Sequence, residues 1–127
     1  MIKKIIILGS FGLILAGCQS QVTQPIQQTS DYLTGQVAIE QKKQADKTLA
    51  IVKCQELCQT KLSDDATDLN SGPCLSEAII PDWVCDVAHS PRQAVDDDPK
   101  NQCASFASGK AHHYVEVDGN CNTIKSN

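Results

Sequence analysis

Seven cysteines stand in 127 residues, and six of them (Cys54, Cys58, Cys74, Cys85, Cys103 and Cys121) lie beyond residue 50. Thiols at such positions can hold zinc, shuttle electrons or cross-link the chain, and their spacing separates these uses. Structural zinc favours C-x2-C and H-x3–5-H pairs. Here the first pair is C-x3-C, and His112 and His113 are adjacent, so a strand would send them to opposite faces. No C-x-x-C is present, so the dithiol of an electron shuttle is missing. Cross-linking remains, and we expect no metal and no cofactor. A second group, Asp82, Asp86, His89, Arg92 and Asp96, falls within fifteen positions. His89 as a base oriented by Asp86 would give acid–base chemistry. The same residues also suit plain surface solvation around a disulfide-pinned loop, and no motif spacing selects a mechanism. We therefore assign no catalytic residue and expect Asp82, Asp86, His89 and Arg92 to serve binding. The run Asp96-Asp97-Asp98 lacks the calcium-loop spacing, and a capping role is expected of it.

The amino terminus supplies an address. Lys3 and Lys4 precede an apolar run over residues 5–16, whose twelve residues rise roughly 18 Å as helix. That is short of a hydrocarbon core of about 30 Å, so the segment reads as an export signal and not as a membrane span. Its end, Leu15-Ala16-Gly17-Cys18, resembles the lipobox of bacterial lipoproteins. The resemblance implies cleavage after Gly17, attachment of diacylglycerol to the Cys18 sulfur, and further acylation of the new amino terminus. Gln19, where an aspartate commonly marks inner-membrane retention, implies an outer-membrane anchor facing the periplasm in an organism with two membranes. With several acyl chains at about 0.8 kcal/mol per buried CH2, the membrane partnership is durable. Loss of Lys3 and Lys4 with the leader takes the formal charge from −4 to −6. An acidic chain without a basic stripe excludes nucleic-acid binding.

With Cys18 given to lipid, the remaining six cysteines are even in number, and an oxidising compartment makes three disulfides of them. No thiol is then left for a cysteine hydrolase.

These groups need elements to position them. Residues 1–17 form the leader, and residues 18–36 the lipidated cysteine and a Gln/Ser/Thr-rich stretch expected as a flexible tether. Residues 37–127 form a disulfide-rich body of α+β class. Within it, residues 37–62 contain neither Gly nor Pro and predict one long helix, with Ala50, Cys54, Leu57, Cys58 and Leu62 on one face. Residues 63–82 read as loop. Trp83–Val87 and His113–Val117 alternate as strands and suggest a two-stranded ribbon, while Asp118-Gly119 signals a turn. Asp98-Pro99 suggests a cap opening a short second helix to residue 107, closed by Gly109.

Cys54 and Cys58, four apart on a helix, have Cβ atoms about 5–6 Å apart, whereas a disulfide needs about 3.8 Å. Each must bond elsewhere, which leaves twelve of fifteen pairings. Among these we expect Cys58–Cys74 nested inside Cys54–Cys85, with Cys103–Cys121 closing the carboxyl end. The body has three aromatic residues, Trp83, Phe106 and Tyr114, and no large aromatic-lined cavity is expected. Segments around Asp82–His89 and Val115–Asp118 resemble small cysteine-rich exported proteins only loosely, and that likeness implies no activity. The expected function is a lipid-anchored envelope module that binds a protein or other envelope component. The alternatives are a small envelope enzyme using His89, and a periplasmic inhibitor or immunity protein.

Overall fold

The computed structural model describes residues 23–64 and 67–127, with side chains from Tyr32 onward. The leader and the lipidation position Cys18 lie outside the described residues. The chain divides into two units at Gly35 and Gln36. Of the first, only the opening turns of helix α1 are described, and the rest of the fold belongs to Gln36–Asn127.

Helix α1 spans Thr23–Ser63. It starts earlier than the expected residue 37, so the stretch read as a flexible tether is helical from Thr23. Gln and Leu are good helix formers, and Pro25 falls in the first turn, where its missing N–H breaks no bond. Ala50, Cys54 and Cys58, at intervals of four, form the buried stripe of α1. Leu62, expected on that face, is instead 49 % exposed.

Four strands make one sheet in the order β1-β2-β3-β4: β1 Cys74–Ile80, β2 Trp83–Val87, β3 His113–Val117 and β4 Thr123–Ser126. The expected two-stranded ribbon is corrected to this larger sheet. β2 and β3 do pair, but in parallel, from Trp83↔His113 to Val87↔Val117. A parallel pair needs a long crossover, which residues 88–112 supply. β1 and β4 flank this pair, each antiparallel to its neighbour. The loop expected over residues 63–82 gives way to β1 from Cys74: Glu77 and Ala78 are poor strand formers and two register shifts break its alternation, so it carries no strand pattern. At the β1–β2 turn Asp82 adopts φ 70°, and its carboxylate accepts from the His112 amide at 2.9 Å, fixing the entry to β3. At the expected turn after β3, Asp118 accepts from the amides of Asn120 and Asn122.

The crossover carries a 3-10 turn at Ala94–Asp97 and a short helix α2 at Ala104–Ala107. The expected helix starting at Asp98-Pro99 is thus displaced. Asp98 ends the 3-10 turn in an extended conformation, and α2 is seeded by Cys103 and by Glu77 of β1. The Glu77 carboxylate accepts from the Ala104 and Ser105 amides at 2.9 and 2.7 Å. The Ser105 amide, working against desolvation and joined by the Ala104 amide, holds the Glu77 pKa below its ordinary value.

The six body cysteines form three disulfides: Cys54–Cys85, Cys58–Cys121 and Cys74–Cys103. The first matches expectation; the other two correct the expected Cys58–Cys74 and Cys103–Cys121. Strand alternation decides the outcome. Cys74 sits opposite Asp86 in the β1–β2 register, on the sheet face turned away from α1, so Cys58 is beyond its reach. Cys103 packs on that same outer face with Val84. Cys121, in the turn after β3, packs instead in the core beneath α1. The expectation of short loops gave way because closing a longer loop costs little extra.

The main core lies between α1 and the sheet, where Trp83, Cys85, Val87, Val115 and Val117 meet Ala50, Cys54 and Cys58. Burying a valine such as Val115 contributes about 1.5–3 kcal/mol. Among the described residues, no helix is long and apolar enough to cross a membrane.

Candidate binding site

The alternation that turns Cys85, Val87, Val115 and Val117 towards α1 turns Val84, Asp86, Tyr114 and Glu116 the other way. The parallel register sets Val84 beside Tyr114 and Asp86 beside Glu116. β4 continues the second row, since Glu116 pairs with Lys125, and β1 begins it with Cys74 opposite Asp86. A charged row of Asp86, Glu116 and Lys125 therefore crosses three strands on the outer face.

Over this row lies an open cavity of about 290 Å³. Its floor is Val84, Asp86, Tyr114 and Glu116; its walls include Arg92, Gln102 and Phe106 from the crossover and Lys125 from β4. Phe106 meets Tyr114 edge-on at 5.1 Å between ring centroids. The Lys125 ammonium stands 5.5 Å from the Tyr114 centroid, within cation–π range. Arg92 donates to Glu116 at 2.7 Å and to Asp97 at 2.9 Å, and a third donation reaches the Asp96 carbonyl at 3.2 Å.

Asp86 differs from its neighbours. It is 8 % exposed, and its Oδ1 has no hydrogen-bond partner among the described residues. Burial, followed by the nearby charge of Glu116 and opposed by Arg92, raises its pKa to about 7. A buried carboxyl with an unused oxygen is costly unless something pairs with it.

His89 is held elsewhere. Its Nδ1 lies 2.8 Å from Oδ1 of Asp96, while the amides of His89 and Gln93 donate to Asp96 Oδ2 at 3.1 and 2.7 Å. Asp96 is 2 % exposed. Desolvation pushes its pKa up, but the Gln93 amide and the ring and amide of His89 outweigh this and hold the carboxyl below its usual value. Gly72 makes room for the knot: at φ +66° it packs so closely that a Cβ there would lie 2.8 Å from Asp96 Oδ1. The expected orientation of His89 by Asp86 is thus corrected: Asp96, in the same crossover as His89, holds the ring, while Asp86 belongs to β2 and lines the outer cavity.

Of the four residues expected to serve binding, Asp86 and Arg92 share the outer cavity, while His89 does not line it. Asp82 lines a second cavity of about 530 Å³ beside α1, together with Lys47, Trp83 and His113. There its carboxylate is already bonded to His112, 2.6 Å from the ring Nδ1. Glu116, Tyr114, Phe106, Gln102 and Lys125 are not among the residues expected at a site. The alternation of the two strands was the signal for Tyr114 and Glu116, once the strands are placed in parallel register. Cys74, Glu77 and Cys103 bring three metal-ligating atoms together. Both sulfurs are spent in a disulfide, however, and Glu77 is occupied by the amides of α2.

Against protein-family models, curated proteins and solved structures the chain finds no match, so its chemistry rests on the residues themselves.

Proposed function

We propose that the protein is a lipid-anchored binding module of the cell envelope, tethered through Cys18 at the periplasmic face of an outer membrane, with the outer-face cavity as its recognition site. One observation carries this reading. Asp86 is a buried carboxyl whose free oxygen has no partner in the described chain and whose side chain lines an open cavity. The surrounding framework is suited to capture because covalent bonds hold it in place, so little order is lost on binding. The anchor adds to this by concentrating the module near envelope partners. The distribution of Asp82, Asp86 and His89 among separate sites favours binding over an enzyme built on those three residues.

Crosslinking in whole cells followed by mass spectrometry tests both parts of the reading. We expect an acylated Cys18 peptide and a crosslinked component that is lost in Asp86→Leu. A crosslinking pattern indifferent to Asp86→Leu overturns the cavity as recognition site. An unmodified Cys18 behind an intact leader overturns the anchor.

A further inference from the structure

Resting on that reading, we propose that the outer-face cavity takes a neutral saccharide ring, with a hydroxyl hydrogen-bonded to the part of the Asp86 carboxyl that lines the cavity. Asp86 is nine-tenths buried with its Oδ1 enclosed and unpartnered, and the part of its carboxyl that lines the cavity invites a donor from the ligand. A cation would supply one, but Arg92 and Lys125 stand in the same walls and repel positive charge. An anion would meet Asp86 and Glu116. Glu116 is already neutralised by Arg92 at 2.7 Å. The charges balance around the site, and a neutral ligand rich in both donors and acceptors fits them best.

The remaining wall narrows the choice further. Phe106 and Tyr114 give an apolar surface next to the charged row. Phe106 is 39 % exposed, which leaves part of its ring open to a ligand in the cavity. A pyranose joins these two demands: its hydroxyls radiate at the edge, and its C–H faces are apolar enough to lie on an aromatic ring. At about 290 Å³ the cavity sits at the small end of ligand sites, suited to one small ring or the end of a glycan.

The test is an amide-shift titration of the full-length protein with glucose, galactose, mannose and N-acetylglucosamine, run beside lysine methyl ester and acetate as charged probes. We expect at least one sugar to shift the amides of Asp86, Gln102, Tyr114 and Lys125 saturably. Asp86→Leu and, separately, Phe106→Ala should each weaken that binding at least tenfold, and Lys47→Ala, at the second cavity, should leave it unchanged. Phe106→Ala removes an exposed ring, so it remains informative even if Asp86→Leu folds poorly. Co-sedimentation with insoluble cell-wall glycan separates the two sources of such a ring. Retention on the polymer together with free-sugar binding identifies a glycan end, and free-sugar binding alone identifies a soluble sugar. Saturable binding of a charged probe at these amides, with no sugar effect, overturns the saccharide and leaves the binding module standing. No response to any sugar overturns the saccharide as well. Loss of the Asp86-dependent crosslink in cells is the separate failure that removes the underlying reading.

Discussion

Trp83, Cys85 and Val87 on β2, with Val115 and Val117 on β3, pack towards α1. Their alternate neighbours Val84, Asp86, Tyr114 and Glu116 line the opposite side. The inner face is apolar and is pinned to the helix by Cys54–Cys85, with Cys58–Cys121 beside it. The outer face keeps two carboxyls, borrows Arg92 and Lys125, and leaves one buried oxygen unpaired. The two strands thus do different work at alternate positions. Inner residues supply stability, and outer residues bear a polar cost that only a scaffold secured from behind can carry.

The sharpest way to break this division is to cut an inner clasp. Cys58→Ala with Cys121→Ala opens a link of 63 positions, and the chain-entropy model gives a loss of about 4 kcal/mol. Denaturant unfolding measures it, and a loss under about 1 kcal/mol would move the scaffold's stability elsewhere. Next comes Val115→Ala, which removes two methyl groups from a fully buried site, with an expected cost of about 2–3 kcal/mol by the same measurement.

Asp86→Asn should act in the opposite direction. In the unfolded chain its carboxyl titrates near about 3.9. In the fold it does so at about 7, so between these values the folded state holds the extra proton. Stability from this group is therefore full below about pH 4 and is lost as pH rises through about 7. Asp86→Asn should remove that slope and gain about 1–2 kcal/mol at pH 8, read from thermal melts at pH 5 and pH 8. A variant that melts lower than the wild type at both pH values would make Asp86 part of the scaffold. The smallest effect is expected of Arg92→Met, about 1 kcal/mol or less, because the guanidinium is partly solvated. A loss above about 2 kcal/mol would show the outer face to be scaffold as well.

The sequence marked both central strands at their observed bounds, because β-branched alternation in Trp83–Val87 and His113–Val117 is a local signal. It also marked the helical stripe through Cys54 and Cys58, and the turn at Asp118. Strand direction was not legible, since nothing local distinguishes a ribbon from a parallel pair joined by a crossover. β1 was hidden by its weak strand formers and bulges, and β4 by its four-residue length. The disulfides followed from faces and not from loop lengths, and faces need the register. Asp86 and Arg92 were visible as members of a crowded polar stretch. Glu116, the ion-pair partner of Arg92 24 positions on, was not, because only the parallel register brings it beside Asp86.

Cys103 stands in the wall of the outer cavity, and its sulfur is joined to Cys74 at the start of β1. That bond fastens the crossover to the sheet and so joins wall to floor. On the proposed reading, oxidation is therefore what completes the binding wall. A reduced chain would lack the covalent link that holds Gln102 and Phe106 over the polar row, so the proposed recognition site would be completed only where an oxidant forms Cys74–Cys103.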